Sequence, residues 1–160
     1  MLFRSTTRLI TAPTDPDVPN RAIVDTWGLG LDCQLAVTER FGFAGELFIG
    51  RGLGEYNGGI LQSFNSVTFQ ALRTRGGWGE AYCYFTDKLH LHTGYGIDAP
   101  LRQDLAPTQF AKNQTCYTNL VWDASKVLQV SFEVDYRKTD YIAFPNANGV
   151  VFLTQMLLRF

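Results

Sequence analysis

Long apolar runs are missing from this 160-residue chain. Nothing in it approaches the roughly 18 consecutive apolar residues of a membrane-spanning helix, although 46% of its residues are hydrophobic. That excludes helical transporters and leaves open proteins that cross a membrane with strands, whose alternation keeps mean hydropathy low. Charge of either sign is scarce as well. Fourteen Lys and Arg against 15 Asp and Glu give a net charge of −1, which removes the electrostatic case for a nucleic-acid partner. Cysteine is limited to Cys33, Cys83 and Cys116, an odd number without a CxxC pair. Neither a zinc site nor a complete disulfide framework follows, and the three read as small apolar strand residues. Histidine is limited to His90 and His92, so a Ser-His-Asp triad would have to draw on that pair. No GxSxG elbow is present, and no GxGxxG or GxxxxGK[ST] follows a strand and opens a helix. The cluster Gly50-Arg51-Gly52-Leu53-Gly54 is therefore a flexible connection. An enzyme is not expected, and no cofactor or metal is called for.

What the chain does have is period two, the signature of strands. Seven segments show it, near residues 27–37, 41–50, 77–86, 89–98, 114–122, 127–137 and 150–160. The clearest is 127–137, where Leu128, Val130, Phe132, Val134 and Tyr136 alternate with Gln129, Ser131, Glu133, Asp135 and Arg137. Helical 3.6-residue periodicity is absent. Short turns at 38–40, 87–88 and 123–126 alternate with long connections at 51–75, 99–112 and 138–149. Antiparallel barrels of outer membranes combine short turns at one end with longer loops at the other. The expectation is an all-β, antiparallel transmembrane β-barrel, with residues 27–160 supplying about seven strands. Residues 1–26, with Pro13, Pro16 and Pro19, are expected to be a loop or the end of an upstream strand. Bacterial single-chain barrels use even strand numbers from eight upwards. Leu2–Ile10 could supply an eighth, but the N-terminus has no signal-peptide core. Both points favour the C-terminal part of a larger barrel.

In such a barrel the apolar stripes face lipid and the alternate faces line the lumen. The lining candidates are Asp32, Gln34, Glu46, Glu80, Tyr82, Tyr84, His90, His92, Asp98, Tyr117, Asn119, Gln129, Glu133, Asp135, Arg137 and Arg159. Six acids against two arginines would favour cations, unless Arg51, Arg73, Arg75 and Arg102 fold inward from long loops to reverse it. Trp27, Tyr95 and Tyr136 near one end of the strands, with Phe41, Phe43, Phe85, Trp122 and Phe160 near the other, suit two aromatic girdles. His90 and His92 share a strand face about 7 Å apart, a spacing that can chelate a metal, but no third ligand is identifiable. Glu133 and Asp135 form a similar i, i+2 pair, best read as a solvated face beside Arg137. Two further readings remain open: a soluble all-β ligand-binding barrel or sandwich, and a small membrane barrel without a pore.

The passages GGWGEAYCYFTDKLHLHTGYGIDAP, YTNLVWDASKVLQVSFEVDYRKTDY and GVVFLTQMLLRF resemble the C-terminal strands of Gram-negative porins. More narrowly they are similar to the DcaP-like group of outer-membrane channels, including porin-like proteins of planctomycete type. The resemblance covers residues 27–160. It implies passive diffusion of small hydrophilic solutes through the outer membrane, assembly by the barrel-insertion machinery and a homotrimer in the lipid bilayer. It also implies that Phe152, Met156, Leu158 and the aromatic Phe160 act as an assembly signal. Members of the group are two to three times longer than this chain.

Overall fold

A computed structural model describes residues 2–10 and 21–159. Eight strands form one antiparallel sheet in which each pairs only with its neighbours in sequence. They are β1 (Leu2–Ile10), β2 (Arg21–Ala36), β3 (Phe41–Arg51), β4 (Arg73–Thr86), β5 (Leu89–Pro100), β6 (Phe110–Trp122), β7 (Leu128–Tyr141) and β8 (Ala147–Leu158). The sheet is not closed: β1 and β8 stand at its two edges. No helix among the described residues is long and apolar enough to cross a membrane, which says nothing of strands.

The register gives the sheet two unlike faces. One carries Leu31, Leu47, Phe152 and Met156, which are 66%, 65%, 77% and 67% exposed. Asp32 pairs with Glu46, Tyr82 with His92, His92 with Asn119, and Asn119 with Glu133, so the charged and polar residues share the other face. The three cysteines are unpaired and alternate onto the apolar face.

The two ends of the sheet differ as strongly as its faces. At one end each turn is closed by a hydroxyl that accepts from two backbone amides, as in an ST-turn. Thr38 accepts from Arg40 and Phe41, Thr86 from Lys88 and Leu89, and Ser125 from Val127 and Leu128. At the other end the connections 52–72 and 101–109 fold together and bury the only substantial core among the described residues. Leu53, Ala71, Leu72 and Ala106 are buried there, with Val24, Thr26, Thr74 and Ala111 from the sheet. Asn65 donates to the Asp104 carbonyl at 2.9 Å, and Gln109 to the Phe64 carbonyl at 2.9 Å. Arg73 makes a two-pronged ion pair with Asp104, at 2.8 and 2.6 Å.

Several sequence expectations need correction. The strands number eight rather than seven, because Leu2–Ile10 pairs with β2 from Leu2 opposite Leu29 to Ile10 opposite Arg21. β2 begins at Arg21, so the described residues of the region 1–26, 2–10 and 21–26, are strand; Pro13, Pro16 and Pro19 lie outside the described residues. The expected long connection 138–149 is only 142–146. There Lys112 and Lys138 bind Asp140 at 3.1 and 3.4 Å, which holds polar residues in strand pairing. The alternation of short and long connections is consequently weaker than the sequence implies. Of the arginines expected in long loops, Arg51 and Arg73 lie in β3 and β4 and hold the folded connections, Arg51 by donating to the Ala71 carbonyl at 3.3 Å and Arg73 through Asp104, while Arg75 alternates onto the apolar face of β4.

Candidate functional site

Strand register places the lining candidates on β2 to β7 on a single face. At its centre, β4 and β5 set Tyr82 opposite His92 and Tyr84 opposite His90. The Tyr84 and His90 rings stack with centroids 4.7 Å apart. Beside them Tyr117 of β6 stands opposite Gly94 of β5 and Asp135 of β7. A Cβ on Gly94 would lie 2.6 Å from the Tyr117 ring, so glycine there lets the phenol lie across the strand.

These residues join in one polar chain. The Tyr117 hydroxyl donates to Glu80 Oε2 at 2.7 Å, and Glu80 Oε1 meets His92 Nδ1 at 3.1 Å. His92 Nε2 lies 2.8 Å from His90 Nδ1, and His90 Nε2 lies 3.5 Å from Asp123 Oδ2. Gln129 donates to the other Asp123 oxygen at 2.8 Å. One consistent set of donors runs from His90 to His92 and from His92 to Glu80, which leaves His90 Nε2 as a lone pair towards Asp123. A single added proton at that nitrogen satisfies every link. The chain can therefore hold or relay a proton across the face. Among the described residues no three His, Cys, Asp or Glu side chains are grouped to hold a metal ion.

A second cluster lies alongside. Asn119 donates to Glu133 Oε2 at 2.8 Å, and Arg137 grips Asp135 through both Nε and a terminal nitrogen. Asp135 is only 1% exposed, and its Oδ1, like Asn119 Oδ1, has no protein partner. Buried acceptors of that kind normally bind water.

The remaining candidates are dispersed. Asp32 and Glu46 oppose each other across β2 and β3, a like-charge pairing that costs stability by itself. They line a pocket of about 480 Å³ between the sheet and connection 52–72, with Phe48, Leu53 and Tyr56. Gln34 lies further down beside Tyr82 and Glu80, and Arg159 joins Asp123 and Gln129 in a groove at the turn end. Asp98 accepts from Ile60 N at 2.7 Å and from the Thr74 hydroxyl at 2.9 Å, pinning connection 52–72 onto the sheet. Ile60 pays a conformational penalty for this contact, with φ at +54°. Sequence reading missed the tie points Gln62, Asn65, Thr74 and Gln109. Their partners lie far along the chain, from Asp98 for Thr74 to Phe110 for Gln62 and Asp104 for Asn65, and no local periodicity encodes such pairings. Phe152, Met156 and Leu158 belong to β8, whereas Phe160 lies outside the described residues.

Comparison of the chain with protein-family models, with curated proteins and with solved structures finds no match.

Proposed function

We propose that the sheet is part of the wall of an outer-membrane β-barrel channel that passes small hydrophilic solutes by passive diffusion. The observation that supports it is the inversion of the two faces. Leu31, Leu47, Phe152 and Met156 are at least 65% exposed, while the hydrogen-bonded acids, histidines and tyrosines gather on the opposite face. A soluble barrel or sandwich encloses its apolar face, whereas a membrane barrel turns it outward to lipid. Strands of 12 to 14 residues from β4 to β8 exceed the roughly 9–11 needed to span a bilayer at a tilt. In this reading the chain forms the C-terminal portion of a larger barrel, inserted by the barrel-assembly machinery and trimeric when complete.

The test is refolding with and without detergent micelles, followed by circular dichroism. β structure that appears only with micelles is the expected result. A monodisperse, cooperatively folding β-protein in plain buffer would overturn the channel and promote a soluble binding module.

A further inference from the structure

On the apolar face, β4 interrupts a surface of large side chains with two glycines. Gly77 stands between Leu47 of β3 and Ile97 of β5, and Gly79 stands opposite Tyr95. The result is a groove of about 610 Å³ lined by Leu47, Tyr95 and Ile97, with Arg75 and Lys112 at one end. The two glycines arise for different reasons. A Cβ on Gly77 would lie 2.4 Å from the Glu46 carbonyl, so the fold itself demands glycine there. At Gly79 the nearest atom to such a Cβ is the Ala44 carbonyl at 3.9 Å. Among the described residues nothing requires Gly79 to lack a side chain, although glycine weakens a strand. A side chain there would enter open space on the apolar face.

The two ends of the groove differ. From Gly79 to Arg75 the floor runs about 13 Å along the strand, apolar until it reaches the guanidinium. Arg75 is exposed and, unlike Arg73 and Lys112, takes part in no ion pair among the described residues. An apolar trough that ends at an unpaired cation complements an amphiphile with an apolar tail and an anionic head. We propose that this groove binds an acyl chain of an anionic phospholipid, with the phosphate on Arg75. Lys112 adds a weaker contact because Asp140 already holds it at 3.1 Å. The proposal rests on the membrane reading above and goes beyond it by naming a lipid site.

Native mass spectrometry of the chain folded in uncharged detergent micelles tests it, with phosphatidylglycerol and phosphatidylcholine of identical acyl chains as probes. Phosphatidylglycerol is expected to be retained preferentially. Arg75→Gln should lower that preference about fivefold, as for one basic residue at an anionic surface. Gly79→Phe, which fills the trough where the fold has room, should abolish retention of both lipids. A preference unchanged in both variants would overturn the site while leaving the barrel intact. So would a change of oligomeric state in Gly79→Phe, which would make the groove a contact between copies. Competition by millimolar inorganic phosphate would overturn the lipid as the ligand. Failure of the wild-type chain to associate with micelles at all would instead overturn the membrane reading, and the site with it.

Discussion

Tyr117 shows how one side chain joins two levels of the structure. Its ring needs the bare backbone of Gly94, and its hydroxyl holds Glu80 at 2.7 Å. Tyr117→Phe keeps the ring and removes the donor, so a loss of about 1.5–3 kcal/mol is expected, the range for a hydrogen bond to a charged group. Gly94→Ala pushes the ring away and should break the same contact. The double variant is then expected to cost clearly less than the sum of the two, in a cycle measured by urea unfolding in micelles. Additive losses would mean that the glycine and the hydroxyl act independently. Which face each of these residues occupies was legible in the sequence, because alternation fixes it. Their bonding was not, because Tyr117 and Glu80 lie 37 residues apart and no periodicity encodes such a pairing. Asp98 makes the same point: alternation put it on the polar face, and only the folded connection reveals it as an anchor for Ile60.

The connections behave as elements in their own right. The Arg73–Asp104 pair ties β4 to connection 101–109, and Arg73 beside it holds the Asp104 carboxyl below the ordinary carboxylate value of 3.8. A depressed carboxyl contributes its stability fully above the unfolded value and loses it as pH falls through the folded one. Cleavage of connection 101–109 by an acid-active protease should therefore stay slow at pH 4 and above and accelerate below about 3.8. Asp104→Asn should abolish that acid response, and an unchanged profile would show that the pair does not hold the connection. Strand cores were readable from composition and strand ends were not. Tyr141 and Pro100 lie in strands despite polar or strand-breaking neighbours, because Asp140 is held by two lysines and Leu101 N donates to the Arg73 carbonyl at 2.9 Å.

At the scale of the molecule the open sheet dominates. Backbone groups along the outer edges of β1 and β8 have no partner strand in it, and in lipid each unsatisfied group costs several kcal/mol. In the proposed membrane barrel, closure by further strands is the expected resolution. Hydrogen exchange of the complete barrel in micelles should then show β8 amides as slow as those of β6, and fast exchange along β8 would mean that the edge stays open. The antiparallel all-β class was legible from period two. Leu2–Ile10 was legible as a candidate eighth strand, and its pairing opposite β2 is what decides it. The three hydroxyl-closed turns have a consequence in time. Each joins a hairpin, β2–β3, β4–β5 or β6–β7, from contacts close in sequence, whereas the opposite end depends on pairings such as Gln62 with Phe110, 48 residues apart. Local closures precede distant ones, so the sheet assembles by hairpins and the interlocked connections set last.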